Sequence, residues 1–509
     1  MSLRTRLYAK LMIAGKAGAS RAFERLPPVG DQHAVKTAPM AEIWGLRATD
    51  LVVATGLPSW DAHPFRENAG VSVVKGLQRL LPNDERWTRW GSRAAADHEL
   101  AEVLGAVGRG QTFTPWPDYA TDAAFARALV QGPMAPLLEH RGDEFVVDCR
   151  ILAGLERHPG TVPLGVVVVL AFRADATGAR TPQLVRIELE DGTVRTPADG
   201  EAWQIAKLIA AAGMQTWLVV GPHLVYTHFL NAGALATAAV SELPNDHAVR
   251  RLLTPHIAGT LRVNDRAGKT LLGPHGNVQA VYSFPWPSVQ QLIARAIAQY
   301  DPTRFDLPMD LERRGLTDLC ASGDYPYGAD ALLIWNALHV YVREYLCVYY
   351  PTDADLSADS HIQRFVATFC RSSPGLRADS LTDLARALTA RIFAVTVHHK
   401  LVGGISLEFL THPYFLPHRV GPGERVDDVV PFREQTEANL AAKFGTTYRS
   451  WGLTADWPSV ALDENGRAVM QAFQDELRAI SEHIDARNSR RAVPFPHLRP
   501  TELESSVAV

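Results

Sequence analysis

The chain has 509 residues, a formal net charge of −4 and a sequence pI near 6.5. Apolar residues make up 47% and charged residues 21%, which is ordinary globular usage and not the composition of a disordered chain. Since there is no basic excess, a protein that tracks nucleic-acid phosphates is excluded, and we expect no nucleic-acid partner. Length alone would suggest about three domains.

The cysteines are few and far apart. They are Cys149, Cys320, Cys347 and Cys370. Without any C-x-x-C pair, neither a zinc ribbon nor a disulfide framework is expected. We predict free, buried thiols in a reducing compartment, and hence a cytoplasmic location.

Two segments have the apolar character of membrane elements. Residues 11–14 form an apolar stretch among basic residues that is too short for a secretory signal. We expect a surface helix there, with peripheral membrane contact as the alternative. Residues 213–240 are long enough to span a bilayer, but His223, Asn231 and other polar residues favour a buried core helix, so no transmembrane segment is expected.

In chain order, the elements begin with a helix over residues 119–140 that stops near Gly132. Two strands, 162–172 and 182–189, follow as a small antiparallel sheet, the second showing alternating apolar and polar residues. Helical spacing then dominates over residues 203–240, 246–264, 288–300, 329–349, 359–370, 380–402, 434–444 and 464–486. Because no linker interrupts this run, we predict a mainly α fold with one large helical domain and a small sheet near its start.

The helix over residues 203–240 carries two histidines, His223 and His228, in an apolar setting. Residues five apart point about 140° apart in a regular α-helix. One π-type turn, with its i→i+5 bonding, would bring both onto one face. Taken alone, the pair favours two hydrogen-bonded core histidines over a metal site.

A second apolar helical segment, LTARIFAVTVHH over residues 388–399, ends in His398 and His399. The pattern does not decide which of these two points inward. Three inward imidazoles together favour a metal site, and imidazole suits zinc, copper, iron or nickel. No carboxylate near His228 completes a two-histidine, one-carboxylate set, so the site is plausible but incomplete.

These segments resemble the lipoxygenase family, in order and in spacing. The matching blocks are HLVYTH (223–228), ELPNDHAVRRLLTPH (242–256), TLRVNDRAGKTLL (260–272), DLPMDLERRGL (306–316), YPYGADALLIWNALHVYVREYLCVYYPTDADL (325–356) and LTARIFAVTVHH (388–399). The final FPHLRPTELESSVAV resembles the family's C-terminus. The resemblance covers roughly residues 85–509, leaving 1–84 as a helical or irregular extension without a lipid-binding β-sandwich.

The resemblance implies one non-haem iron per chain, held by His223, His228, His399 rather than His398, and the main-chain carboxylate of Val509. It implies a bound water or hydroxide as well. The reaction implied is hydrogen-atom abstraction from a doubly allylic methylene of a polyunsaturated fatty acid. Molecular oxygen then adds, giving a hydroperoxide.

Three further residues take family positions near the substrate. Leu224 matches a leucine that clamps the reactive carbon, with plain core packing as the alternative. Ala267 matches a position where alanine goes with S-configured products, so we expect an S hydroperoxide. Arg266 is a candidate partner for the fatty-acid carboxylate, with an exposed structural arginine as the alternative.

One departure weakens the substrate assignment. The family often places asparagine, a weak metal ligand, four residues after the third histidine, where this chain has Gly403. A water could take that place, or the coordination number could fall. The alternatives are therefore an iron oxygenase of the same fold acting on another apolar metabolite, a non-catalytic lipid-binding protein, and a zinc hydrolase. Manganese instead of iron also stays open.

Overall fold

The computed structural model describes residues 25–47, 49, 51–61, 118, 120–174, 180–405, 414–430 and 450–508. Helices dominate it, with a five-stranded sheet near the start of the helical region and a two-stranded sheet before that. The prediction of a mainly α fold with a small antiparallel sheet is confirmed.

The larger sheet is antiparallel throughout and follows chain order. Its strands are β3 (Leu138–Arg141), β4 (Glu144–Asp148), β5 (Val167–Ala174), β6 (Arg180–Glu188) and β7 (Val194–Arg195). Strand β5 is a β-branched run whose alternate residues face opposite sides, as the two-residue period of a strand requires. Val168 and Leu170 enter the main core, whereas Val167 and Val169 pack with Val146 on the other face.

The helices are numbered in chain order. They are α1 (Met40–Ile43), α2 (Asp122–Gln131), α3 (Glu201–Glu242), α4 (Ala248–Ile257), α5 (Thr260–Leu271), α6 (Asn277–Val281), α7 (Trp286–Ala298), α8 (Leu307–Arg313), α9 (Thr317–Ser322), α10 (Pro326–Tyr349), α11 (Asp353–Ala358), α12 (Ser360–Ser372), α13 (Leu381–Phe393), α14 (Val426–Val429) and α15 (Glu464–Asn488). Helix α13 continues through two π turns, Ala394–His398 and Lys400–Ile405.

Helix α3 lies at the centre of the helical region. It packs against α5, α7, α12 and the π turns that follow α13. Its length and hydropathy would permit a membrane span, but 89% of its most apolar window is buried inside the protein. The prediction that this segment is a core helix is confirmed, because protein surrounds it on all sides.

The predicted single helix over residues 246–264 is wrong, because the chain breaks it into α4 and α5. Gly259 adopts φ +70° at the junction, a left-handed conformation that glycine accepts without steric cost. The Asp61 carboxylate accepts hydrogen bonds from the backbone amides of Gly259 and Arg262, at 3.1 and 3.2 Å. A distant residue thus satisfies the free amides at the start of α5, which helical periodicity could not reveal.

The described part of the predicted extension is built into the main core. Strands β1 (Lys36–Pro39) and β2 (Val52–Thr55) pair as an antiparallel hairpin, where only helical or irregular structure was expected. Trp44 follows the short helix α1 and lies against the Phe229 ring at a centroid distance of 5.1 Å. The predicted boundary between residues 84 and 85 lies outside the described residues, as does the predicted helix over 434–444.

The cysteine prediction holds only in part. All four cysteines are free, and Cys149 and Cys320 are buried. Cys347 and Cys370 are exposed, contrary to expectation, because their helices α10 and α12 turn those faces to solvent.

Candidate metal centre

The middle of α3, Val219–Gly233, is wound as a π-helix. Pro222 has no amide hydrogen, which disfavours regular α-helical bonding at this point. The carbonyl of Pro222 accepts a hydrogen bond from the Thr227 hydroxyl at 2.8 Å, five residues on. The i→i+5 winding puts His223 and His228 on one face, as the sequence predicted.

A second side chain supports the same winding and ties α3 to α13. Asn231 donates to the carbonyl of Tyr226, again five residues back, at 2.5 Å. Its side-chain oxygen accepts from the guanidinium of Arg391 in α13. Arg391 is 2% exposed and also donates to the Tyr300 hydroxyl at 3.1 Å. These bonds fix the register between the two helices that carry the histidines.

The three histidines His223, His228 and His399 converge through their Nε2 atoms. The Nε2 atom of His223 lies 3.1 Å from that of His228 and 3.3 Å from that of His399. The Nε2 atoms of His228 and His399 are 3.2 Å apart. His228 and His399 are each 3% exposed, and His223 is less deeply buried.

The hydrogen bonds of Asn264 in α5 assign the tautomer of His228. The Asn264 amide nitrogen donates to the main-chain carbonyl of His228 at 2.7 Å. Its oxygen therefore faces the Nδ1 atom of His228, at 2.8 Å, and must accept a hydrogen bond from it. With the proton on Nδ1, the Nε2 atom of His228 presents a bare lone pair to the other two rings.

All three rings are held in the neutral form. Burial lowers the pKa of His228 to about 4. Burial, with the neighbouring imidazoles adding to it, lowers the pKa of His223 and of His399 well below the ordinary range. Neutral imidazole is the form that binds metal ions.

The cluster fits a metal ion better than it fits a hydrogen-bonded core. The Nε2 lone pair of His228 faces two more imidazole nitrogen atoms at 3.1 and 3.2 Å, and the Nδ1 atom of His399 has no hydrogen-bond partner among the described residues. Nitrogen atoms 3.2 Å apart subtend roughly 100° at an ion when each bond is about 2.1 Å. Three such ligands leave the remaining positions of one ion open.

His398 lies outside the cluster. Its ring packs edge-on against Phe305 at a centroid distance of 5.0 Å. Among the described residues, the three histidines that could share one ion are His223, His228 and His399. The geometry therefore agrees with the choice of His399 over its neighbour.

Gly403 lies directly against His223. A β-carbon built at Gly403 would lie 2.8 Å from the Nε2 atom of His223 and 3.4 Å from each adjacent ring carbon. That approach is closer than van der Waals contact permits. The His223 ring thus occupies the space that a side chain at position 403 would need.

Val509 lies outside the described residues, but the residues before it approach the cluster. Val507 is fully buried between Ala232 of α3 and Val395 of the π turn after α13. Ala232 follows His228 by four residues, and Val395 precedes His399 by four. The C-terminal segment, Glu504–Ala508, therefore shares a hydrophobic cluster with the two helices that carry the histidines.

The three predicted substrate residues lie on α3 and α5. Leu224, next to His223, is 2% exposed and belongs to the main core. Ala267 is buried on α5, three residues after Asn264. Arg266, beside it, is half-buried.

Sequence reasoning missed the residues that hold the histidines in place. They are Asn264, Thr227, Asn231 and Arg391. The pairs Pro222 with Thr227 and Tyr226 with Asn231 share the spacing of five that the histidines show, and this repeat is a signal that could have found two of them. Nothing in the sequence links Asn264 or Arg391 to a partner on another helix.

Comparison with known proteins supports the resemblance to lipoxygenases. Residues 181–397 match the family model described as lipoxygenase. A linoleate 9/13-lipoxygenase of Pseudomonas aeruginosa is 26% identical over 343 residues, covering 62% of this chain and 50% of the relative. The hydroperoxide isomerase ALOXE3 of Homo sapiens is 28% identical over 403 residues, covering 72% of this chain and 55% of the relative. The chain thus spans about half the length of these relatives.

The fold agrees with solved lipoxygenase structures. One of them, in complex with arachidonate, superposes with a TM-score of 0.79 at 19% identity. The match covers 94% of this chain and 80% of the other.

Proposed function

Because residues 181–397 belong to the lipoxygenase family, we propose that the chain is a non-haem iron dioxygenase acting on a polyunsaturated fatty acid. The observation that carries the proposal is the triangle of buried, neutral imidazoles, with Nε2 atoms 3.1, 3.2 and 3.3 Å apart. This triangle of imidazoles lies on α3 and on the continuation of α13, in a fold that agrees with solved lipoxygenase structures.

In this proposal His223, His228 and His399 hold the iron. Bound iron would supply the one-electron chemistry that hydrogen-atom abstraction requires. Asn264 keeps the proton of His228 on Nδ1, so that Nε2 stays free to bind. Because His223 is the least buried of the three, we place the substrate on its side, where Leu224 follows it in the chain.

We extend the proposal to Val509, whose main-chain carboxylate would be the fourth protein ligand. The support is the course of the preceding residues, since Val507 lies between Ala232 and Val395. A carboxylate would offset part of the charge of a ferrous ion that three neutral imidazoles leave uncompensated. Adding one residue after Val509 would displace that carboxylate, so we expect the extended chain to lose iron; full retention of iron would refute this ligand.

The proposed substrate is a fatty acid such as linoleate, the acid in the name of the Pseudomonas aeruginosa relative. One of the solved lipoxygenase structures of similar fold is a complex with arachidonate. Arg266 is proposed as the partner of the carboxylate. The direction of entry is left to experiment.

The proposed product is an S hydroperoxide, on the basis of Ala267. Ala267 is buried on the helix that also carries Asn264, the partner of His228. Replacing Ala267 with glycine removes one buried methyl group from α5, and in this proposal the space it leaves admits oxygen on that side. We expect the A267G variant to shift the product towards the R isomer, as measured by chiral chromatography; an unchanged ratio would remove Ala267 from the proposal.

The proposal is tested by metal analysis and linoleate oxidation on one preparation. We expect about one iron per chain, as a single ligand set implies, and a rise in conjugated-diene absorbance with linoleate and oxygen. The H399Q variant should lose the iron and the oxidation of linoleate. The H398Q variant should keep the iron and the activity, since His398 packs on Phe305 outside the cluster. Zinc in place of iron, or an iron-loaded protein inert towards every polyunsaturated acid, would refute the proposed function.

A second candidate is isomerisation of fatty-acid hydroperoxides. Hydroperoxide isomerases from Homo sapiens, Rattus norvegicus and Mus musculus are 28–29% identical to this chain. The two functions separate when the same iron-loaded protein is given linoleate or its hydroperoxide. Consumption of the hydroperoxide without oxygen uptake from linoleate would favour the isomerase.

A further inference from the structure

His256, near the end of α4, holds the C-terminal segment from one side. Its ring is 2% exposed, and its Nδ1 atom lies 2.9 Å from the main-chain carbonyl of Ser505. A carbonyl can only accept, so Nδ1 carries the proton and donates it. This bond joins residues 249 positions apart in the chain.

Other bonds hold the same stretch from the opposite side. The amide and the hydroxyl of Ser505 both donate to the carbonyl of Trp451, at 2.9 and 3.0 Å. The next residue, Ser506, donates through its hydroxyl to the carbonyl of Ala258 at 2.8 Å. Ser505 and Ser506 are both fully buried. The segment is therefore held between the α4–α5 junction and Trp451.

The held segment leads directly to the histidine cluster. Val507 packs on Ala232 and Val395, two residues after the Ser505 carbonyl that His256 binds. Two residues of extended chain span at most about 7 Å, so the bond at Ser505 limits where Val507 and its successors can lie. None of the metal-ligand candidates contacts Ser505 in the described residues.

We propose that His256 is a positioning residue for the metal centre, acting through the Ser505 carbonyl on the C-terminal segment Glu504–Ala508. The inference rests on the proposed function, in which Val509 follows this segment as a ligand. His256 does not touch the metal or the substrate. It sets the path of the chain that delivers the last ligand.

The test compares two substitutions of His256. In H256N the side-chain nitrogen stands close to the position of Nδ1 and can still donate to Ser505. In H256L the donor is gone at similar volume. The matched control is H361L, which removes another histidine bond to a main-chain carbonyl, that of Glu242, at 2.9 Å.

The first readout is amide hydrogen exchange over residues 503–509, measured by mass spectrometry on the metal-free protein. We expect about tenfold faster exchange in H256L, as the loss of one buried hydrogen bond implies. H256N and H361L should stay close to the parent rate. The second readout is iron affinity by competition with a chelator, which should fall at least tenfold in H256L alone.

Unchanged exchange in H256L would overturn the inference, and so would equal exchange in H256L and H361L. Faster exchange at every peptide of H256L would show a general loss of structure and would also overturn it. If the proposed function fails, the parent protein will not bind iron, but the exchange difference over residues 503–509 will remain. The two failures are therefore distinguishable.

Discussion

At the scale of single residues, Gly403 shows how a missing side chain can be a packing requirement. The family resemblance suggested a vacant ligand position that a water could fill. The structure instead places the Nε2 atom of His223 2.8 Å from where a β-carbon would be. The glycine is needed because the imidazole stands over it.

A methyl group at position 403 should therefore displace a ligand. We expect Gly403→Ala to lower iron affinity by roughly 10- to 100-fold, the usual effect of disturbing the support of a metal ligand. Metal competition with a chelator measures it. Gly452→Ala is the control, because its nearest neighbour to an added β-carbon is 3.9 Å away. Equal iron affinity in both variants would contradict the packing argument.

Asn264 supports the histidine cluster without belonging to it. Its oxygen accepts from the Nδ1 atom of His228, and its nitrogen donates to the carbonyl of the same residue. We expect Asn264→Leu to lower iron affinity 10- to 100-fold by releasing the ring and its tautomer. Asn264→Asp keeps the acceptor for Nδ1 and should bind iron more tightly than the leucine variant. The reverse order, seen in the same chelator competition, would count against this role.

At the scale of elements, the π-helix in α3 decides whether the histidines meet. Two side-chain hydrogen bonds share the i→i+5 spacing of this winding. Thr227 and Asn231 each donate to the carbonyl five residues back. Asn231 also receives the buried guanidinium of Arg391, so the winding of α3 and its register with α13 depend on one side chain.

We expect the loss of the Asn231 side chain to lower the stability of the protein more than the loss of the Thr227 hydroxyl. Thr227→Val removes one hydrogen bond at nearly constant shape, which costs about 1–2 kcal/mol. Asn231→Leu takes one donor from the Tyr226 carbonyl and one acceptor from the buried Arg391 guanidinium, which keeps the Tyr300 hydroxyl, and we expect about 2–4 kcal/mol, because hydrogen bonds to charged groups are the stronger ones. Thermal midpoints of the metal-free variants give the order, and iron content should fall more in the Asn231 variant. Equal midpoints would argue against the shared role of Asn231.

At the scale of the whole molecule, buried histidines make stability depend on pH. Burial lowers the pKa of His256 to about 4, and burial with nearby cations does the same for His497. In the unfolded chain both return to about 6.5. As pH falls through 6.5, the unfolded state takes up protons first, so stability present at neutral pH is progressively lost down to about pH 4.

The metal-free protein should accordingly melt at a lower temperature at pH 5 than at pH 7. Each of these two histidines would contribute roughly 2 kcal/mol to the difference, from 1.5 pH units at about 1.4 kcal/mol each. Replacing His256 with asparagine removes one titrating group, so the fall in the midpoint should be smaller in H256N. A fall as large as that of the parent would mean that His256 does not titrate on unfolding.

The sequence by itself determined the class of fold and the core helix, and its family likeness supplied the four proposed ligands, His223, His228, His399 and Val509. The fold class and the core helix follow from short-range properties, because apolar periodicity marks buried helices. The spacing of His223 and His228 showed only that a π turn would bring both onto one face. The family likeness then chose His399 over His398. Apolar periodicity and the spacing of two histidines on one helix involve residues close in the chain, whose relative positions the helix geometry fixes.

Only the tertiary structure decided which side chains support the ligands. Asn264 reaches His228, Arg391 reaches Asn231, and Asp61 breaks the helix predicted over residues 246–264. The sequence separations are 36, 160 and 198 residues. Each contact satisfies a buried polar group, and burial is set by how distant elements pack. For the same reason the pairing of His223 with His228 can be read from the sequence, but their meeting with His399, 176 residues from His223, exists only in the folded chain.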